Sequence, residues 1–446
     1  MTDDPARPRR PTVGLTTVGC KLNQYESEMV REQFLRAGYE VVPFDAPADV
    51  YVVNSCTVTS RSDRDSRRLA RRARRANPEA LVVVTGCYAE VSGDVVAGIP
   101  EIDLVVGNAD KRRLAEVVAD GSAERAGAPG VRVADGGSDF DEPLVNRFGT
   151  HTRAFMKVQD GCDAACTYCI VRRARGPSRS LPPERAVEQA QRFAEAGHAE
   201  IVLVGVHLGA YGLDLSPPLR LADLVARLTE VPGLGRIRLS SVEPQELDDD
   251  LVSLAADSPK VCQHFHIPVQ SGDDDVLRRM ARPYTGGFVA ELLTGAAERI
   301  PDVGIGADVI VGFPGEGESH FRRTQELLSG LPVTYLHVFS YSPRPGTPAA
   351  DFGDQVQEEV KKGRCRALRE LSAEKAFAFG RKLVGTTAEV LIEGARRGAA
   401  RAVTGLTGNY VRVVLEGCES RVGEMLATRL VGVGGDGVLA GVAADR

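Results

Sequence analysis

The chain has no apolar run long enough to cross a membrane; the longest, such as IVLVGV at 201–206, are strand-sized. Its first ten residues, MTDDPARPRR, are polar and lead into a strand-like run, with no apolar core of signal-peptide length. A membrane-spanning or exported protein is therefore not expected, and the expectation is a cytoplasmic one. There is no excess of positive charge either. With 55 Lys and Arg against 61 Asp and Glu, the formal net charge is -6, which excludes a chain that coats nucleic acid indiscriminately. Any site for a polyanion must be local. Without an export signal the nine cysteines are not expected to form a disulfide framework, and in a reducing compartment they point to metal or redox chemistry.

Three of those cysteines stand together. In KVQDGCDAACTYCIVRRARGPSRS (157–180), Cys162, Cys166 and Cys169 are separated by three and two residues, so one tight loop can turn three sulfurs toward one point. A structural zinc site takes four protein ligands, and no fourth Cys or His lies in the loop. A cubane iron–sulfur cluster held by three thiolates keeps one iron open, and that iron can chelate the amino and carboxylate groups of S-adenosylmethionine. One electron can then break a carbon–sulfur bond to give an adenosyl radical. The spacing resembles the radical-SAM signature.

Upstream, short β-branched runs alternate with helical patterns. VGLTTVG is followed by a helix expected from Glu26 to Ala37, and YVVNS, LVVVTG and IDLVVGN read as further strands. The alternation predicts an α/β domain with a parallel sheet over 11–120. In such a sheet ligands bind outside the carboxyl ends of the strands. Cys20, Cys56 and Cys87 occupy that position in three successive units. Any one alone reads as a small buried residue; three at equivalent positions can assemble a second three-thiolate cluster. Between them, Arg64, Arg67, Arg68, Arg71, Arg72 and Arg75 follow helical offsets that put all six on one face. A solvated surface is the ordinary reading of such a stripe, and phosphate contact with RNA is the alternative.

Residues 121–147, rich in Gly and Asp, read as a linker. From 148 to 354 six strand candidates with helices between them suggest a partial (βα)6 barrel, whose chemistry gathers at the strands' carboxyl ends. The cysteine loop follows the first of these strands. At other strand ends Gly205, Ser241, Glu243 and Gln270 are candidates for holding the cofactor, with Gly205 letting an adenosine approach the backbone and Glu243 accepting from ribose or the amino group. His207 and the turn GFPGE (312–316) stand at equivalent places, while His264 and His266 alternate in a strand where either can be a core residue. A connecting helix is expected over 355–383, with Cys365 structural, and Cys262 and Cys418 stand alone. The last segment, 384–440, reads as a small β-barrel in three stretches. There Tyr410 and Arg412, with Arg396, Arg397 and Arg401 upstream, offer stacking and phosphate contacts to single-stranded RNA.

Taken together these motifs resemble the methylthiotransferase family of radical-SAM enzymes over about residues 12–433. TVGCKLNQYESE, VNSCTVTS and VTGCYAE look like the cysteine motifs of its N-terminal domain, and VQDGCDAACTYCIVRRARG like its radical-SAM loop. SGDDDVLRRMARPYT, ADVIVGFPGE and FSYSPRPGTPAA resemble stretches of its barrel, and GLTGNYVRV its C-terminal TRAM domain. GCKLNQYESE, VGVHLGAYG and YSPRPGTPAA are most similar to the branch acting on threonylcarbamoyladenosine beside the tRNA anticodon. Asp163, Ala165 and Arg172 depart from the family loop, where Asn, an aromatic residue and Pro are often found; none removes a ligand. The resemblance implies two 4Fe–4S clusters and S-adenosylmethionine as cofactors. The Cys162, Cys166, Cys169 cluster would generate the radical and the Cys20, Cys56, Cys87 cluster would deliver sulfur, with a second S-adenosylmethionine giving the methyl group. Implied partners are the tRNA anticodon arm and an electron donor such as flavodoxin or ferredoxin. Sister branches act on isopentenyladenosine in tRNA or on an aspartate of a ribosomal protein. A non-catalytic iron–sulfur RNA-binding protein is the reading from a different class.

Overall fold

A computed structural model describes residues 9–122, 130–132, 140, 143–149, 151–395 and 402–444. The chain divides into two compact units. The first comprises Met1–Val145, Gly161–Asp163 and Cys169–Pro177; the second comprises Asn146–Asp160, Ala164–Tyr168 and Ser178–Arg446. Two pieces of the cysteine loop, Gly161–Asp163 and Cys169–Pro177, thus group with the first unit.

In the first unit β1 (Thr12–Thr17), β2 (Glu40–Val42), β3 (Val50–Ser55), β4 (Leu81–Gly86), β5 (Leu104–Val106) and β6 (Gly130–Arg132) form one sheet in the order β2-β1-β3-β4-β5-β6. Every neighbouring pair is parallel. β3 and β4 are buried along their whole length. Central strands covered on both faces need apolar side chains on both, which is why YVVNS and LVVVTG are runs and not alternations. Val53, Val82, Val84 and Val105 pack with Ala70 and Ala73 of helix α2 (Ser60–Ala76), each fully buried valine contributing roughly 1.5–3 kcal/mol. Thr59 caps α2 by accepting from the Ser62 N–H at 3.2 Å, an interaction that stabilises a helix by about 1 kcal/mol.

Helix α1 (Lys21–Arg36) begins at Lys21 and not at Glu26 as the sequence pattern suggested. Gly19, at φ 108°, turns the chain out of β1 so that Cys20 takes the N-cap position directly. The sheet order reverses between β1 and β3, the place where sheets of this order hold their ligands. Cys20 and Cys56 follow those two strands.

In the second unit β7 (Arg153–Lys157) is followed by a short antiparallel ribbon, β8 (Gln159–Asp160) with β9 (Arg179–Ser180). β10 (Glu200–Val204) lies between β7 and β11 (Arg236–Leu239), and β13 (Gly304–Val311) between β12 (His264–Gln270) and β14 (Tyr335–Ser340). All these pairs are parallel, and bridges Ile237 to Val261 and Ser241 to His266 join the two sheets into the expected six-stranded partial barrel. The connecting helix spans Glu358–Leu383, and the Ser372 hydroxyl accepts from the Leu336 N–H at 2.8 Å.

Five strands then close a barrel: β15 (Thr387–Ala395), β16 (Ala402–Thr407), β17 (Arg412–Glu416), β18 (Met425–Val433) and β19 (Leu439–Ala443), in the order β15-β16-β17-β19-β18. The sequence suggested three stretches ending at 440. Its Gly-rich third stretch folds back at Gly434, whose N–H donates to the Val438 carbonyl at 2.8 Å, and so supplies two strands that reach Ala443.

Candidate functional site

The first cysteine triplet is built by the loops that leave β1, β3 and β4. Cys20 is exposed at the N-cap of α1, while Cys56 and Cys87 are buried, Cys87 as the first residue of the helix Cys87–Val91. A Cβ on Gly19 would lie 2.7 Å from the Cys56 Cβ and 3.0 Å from its sulfur, so only glycine lets these two loops approach. Buried Asn23 ties them by donating to the Val18 and Ser55 carbonyls at 2.8 and 3.0 Å. Burial pushes the Cys56 thiol up to about 11, and the neighbouring Cys87 and Cys20 push it in the same direction. Three thiols within electrostatic reach, two of them at the strand ends flanking the switch point and the third at the end of the neighbouring β4, fit a cluster that would replace their protons and neutralise their mutual repulsion.

Arg175 ends the short helix Val171–Arg175 that follows the second triplet, and it lies within the first unit. It is buried, forms an ion pair with both oxygens of Glu26, and donates from Nη2 to Asn23 Oδ1 at 2.6 Å. Its Nε points at the Cys87 sulfur, 3.3 Å away. Lys111 binds the same Glu26 at 2.6 Å and Asn108 Oδ1 at 2.9 Å, and Asn108 in turn donates to the Ala174 carbonyl at 2.7 Å.

The second triplet, Cys162, Cys166 and Cys169, is half-buried. Gly161 fixes where it starts. At φ 73°, a Cβ there would lie 1.8 Å from the Pro177 carbonyl oxygen, and the adjacent Cys162 N–H donates to the Gly176 carbonyl at 3.1 Å. In the second unit Thr167 anchors the middle of the loop: its N–H donates to the Met280 carbonyl at 3.1 Å, and its hydroxyl to the Arg279 carbonyl at 2.8 Å. From the same segment Arg282, whose side chain is buried, donates to the Cys166 sulfur at 3.2 Å, to the Tyr284 hydroxyl at 2.8 Å, and into an ion pair with Glu243. Glu243 is thus brought to Cys166. Ser241 is exposed two residues before it, and Gln270 ends β12 at φ 64°, a left-handed conformation costly for glutamine and characteristic of binding loops.

The chain matches an uncharacterized protein family, UPF0004, over residues 12–107 and the radical SAM superfamily over 156–328. It is 40% identical to the threonylcarbamoyladenosine tRNA methylthiotransferase MtaB of Bacillus subtilis, over 95% of this chain and 94% of that protein. The chain belongs to the radical-SAM methylthiotransferases. With the tRNA-2-methylthio-N(6)-dimethylallyladenosine synthase of Moorella thermoacetica it shares 32% identity over 94% of this chain and 96% of that one. Among solved structures, the radical S-adenosylmethionine methyltransferase TsrM of Kitasatospora setae superposes with a TM-score of 0.56 at 16% identity, over 77% of this chain and 74% of that chain, a likeness of fold alone. As a methylthiotransferase the chain is an enzyme, and its cofactors are those characteristic of the family, 4Fe–4S clusters and S-adenosylmethionine. Among the described residues no helix is long and apolar enough to cross a membrane.

Several sequence-based candidates of this methylthiotransferase change meaning in the structure. The space beside Gly205 is filled by Gln159, whose Oε1 would be 2.8 Å from a Cβ there and accepts from the His207 N–H at 2.8 Å. The absent side chain at Gly205 thus makes room for Gln159. In GFPGE, Glu316 is buried, accepts from the Gly312 N–H at 2.9 Å and pairs with Arg364 at 2.7 Å, a role within the fold. Tyr410 is no free platform for a base. Its ring stacks on His264 at 4.5 Å and on Tyr335 at 5.6 Å, with the Arg238 guanidinium 5.2 Å from its centre. Arg412 is exposed at the start of β17. Arg396, Arg397 and Arg401 lie outside the described residues.

The six arginines of α2 do share the face opposite Ser66, Ala70 and Ala73, but they are not without acids. Arg68 pairs with Asp65 at 3.1 Å, Arg71 with Glu101 at 3.6 Å, and Arg72 with Asp45. Among the described residues Arg64, Arg67 and Arg75 have no such partner. A further polar group escaped the sequence reading: on β12, β13 and β14, His266 Nε2 and His337 Nδ1 lie 2.8 and 3.2 Å from one oxygen of Asp308. The alternation of His264 and His266 was visible, but the carboxylate that binds the second of them comes from another strand.

Proposed function

We propose that this methylthiotransferase adds a methylthio group to carbon 2 of N6-threonylcarbamoyladenosine next to the anticodon of tRNA. What carries the reading is the 40% identity to a relative of that name over nearly the whole of both chains, together with two thiol triplets in the described fold. Carbon 2 of an adenine bears an unactivated hydrogen that acid–base groups cannot remove; one-electron cleavage of S-adenosylmethionine supplies a radical that can. Cys162, Cys166 and Cys169 hold the cluster for that cleavage, and Cys20, Cys56 and Cys87 hold a second for sulfur. Glu243, kept in place by Arg282 beside Cys166, accepts from the amino or ribose groups of the cofactor, with Ser241 and Gln270 at neighbouring strand ends. Arg64, Arg67, Arg68, Arg71, Arg72, Arg75 and Arg412 take phosphates of the anticodon arm. The reaction runs in the cytoplasm with a one-electron donor of the flavodoxin or ferredoxin class.

Nucleoside analysis of tRNA from a strain lacking the chain tests this. The methylthio form of threonylcarbamoyladenosine should vanish, its unmethylthiolated parent should accumulate, and the native gene should restore the product. Loss of methylthio-isopentenyladenosine instead would assign the chain to the sister branch.

A further inference from the structure

We propose that Arg175 is a positioning residue for the first cysteine triplet, donating to the Cys87 sulfur and raising the reduction potential of the cluster held there. This rests on the assignment of Cys20, Cys56 and Cys87 as the ligands of that cluster. A guanidinium is rarely taken out of water, and Arg175 is only 5% exposed, so its donors must be satisfied inside. Glu26 and Asn23 take the two terminal nitrogens. Nε is directed at Cys87, across 88 residues of sequence, at 3.3 Å. A sulfur carrying negative charge is a far better acceptor for this donor than a neutral thiol.

Charge points the same way. Arg175 and Lys111 are both buried and pair with the carboxylate of Glu26, and the guanidinium sets a fixed positive charge beside the Cys87 sulfur. A cluster that accepts an electron gains one negative charge. A fixed positive charge and an N–H donor at a ligand sulfur both favour that state, and such interactions are among the determinants of cluster potential. The placement has a second consequence. Because Arg175 stands six residues after Cys169, folding of the radical-SAM loop is what completes the surroundings of the first triplet.

The test uses the full-length chain with Cys162, Cys166 and Cys169 replaced by Ala, reconstituted anaerobically so that only the first triplet can hold iron. Redox titration followed by electron paramagnetic resonance compares Arg175 with Arg175→Lys and with Arg175→Gln, in which Glu26 keeps its pairing with Lys111. The glutamine variant should be about tenfold harder to reduce, 59 mV for a one-electron couple, and the lysine variant should fall between. In protein labelled with 15N-arginine and otherwise unchanged, pulsed resonance of the reduced cluster should show a nitrogen coupling that Arg175→Lys removes; this measurement decides even if the glutamine variant does not fold. Full iron content with an unaltered potential and no nitrogen coupling overturns the proposal alone. Absence of iron from the three-alanine protein overturns the ligand assignment and the proposal with it.

Discussion

Cys56 and Cys166 belong to different triplets, and replacing each separates two partial reactions. Cys166→Ala should abolish reductive cleavage of S-adenosylmethionine, whereas Cys56→Ala should keep cleavage and lose the methylthiolated nucleoside; quantifying 5′-deoxyadenosine and the product nucleoside in one assay checks both. Reconstituted wild type should hold about eight irons, and replacing one whole triplet should halve that number. Glu200 carries a prediction of a different kind. Burial alone would raise its pKa, but Arg238 and Arg236, at 2.8 and 2.5 Å, outweigh burial and hold it at about 2 against an ordinary 4.5. A carboxylate depressed in the folded state stabilises the fold above its unfolded pKa and loses that contribution as pH falls through the folded value. Between pH 4.5 and about 2 the loss is about 3 kcal/mol. Glu200→Gln should be less stable than wild type at pH 7, by about 3–5 kcal/mol because two buried guanidiniums lose their counter-charge, and the gap should close below pH 4.5. Denaturant titrations at several pH values measure it.

For α2, the division of its arginines into paired and unpaired sets makes two triple variants unequal. Replacing Arg64, Arg67 and Arg75 with Gln should weaken binding of an anticodon-arm RNA and flatten its salt dependence by about 0.7–0.9 for each phosphate no longer neutralised. The same change at Arg68, Arg71 and Arg72 should do less, because their charge is already shared with Asp65, Glu101 and Asp45. Affinity titrations across salt decide; unchanged slopes for both variants would make the helix a solvated surface. The helix and its charged face were legible because helical spacing is local in sequence. The acids facing it were not, since Asp45 and Glu101 come from loops with no periodicity to announce them. The same holds at the cysteines. Each thiol of the first triplet ends an apolar run and could be placed by counting, whereas Arg175 looks like one basic residue among several until the fold sets it beside Cys87.

At the scale of the second unit, the small barrel is fastened to the end of the partial barrel by polar interactions from both strands and turn. Arg236 donates to the Leu406 carbonyl at 2.7 Å, and Arg238 to those of Gly408 and Thr407 at 2.8 and 3.0 Å. Tyr410 adds its stacked ring. Tyr410→Ala should cost about 1–3 kcal/mol, the worth of two aromatic pairs and a cation–π pair, and should leave the salt slope of RNA binding unchanged. Thermal melts and the salt titration read the two effects separately. Sequence alone suggested an exposed aromatic here, because a tyrosine beside an arginine in a small barrel has the composition of an RNA-binding surface; only the register of β12 and β14 shows what it stacks on.

The order in which those fastenings become available has a consequence for synthesis. Chains fold from the N-terminus as they emerge from the ribosome. Arg236 waits through 170 residues for the Leu406 carbonyl, and the strand that closes the small barrel, β19, is the last of its five in sequence. Throughout that interval Glu200 is the only one of these partners already made, so it alone shields two guanidiniums at an unsealed end. Released chains truncated before Leu439 should therefore present the partial barrel with that end open to proteases and chaperones, and the released full-length chain should not.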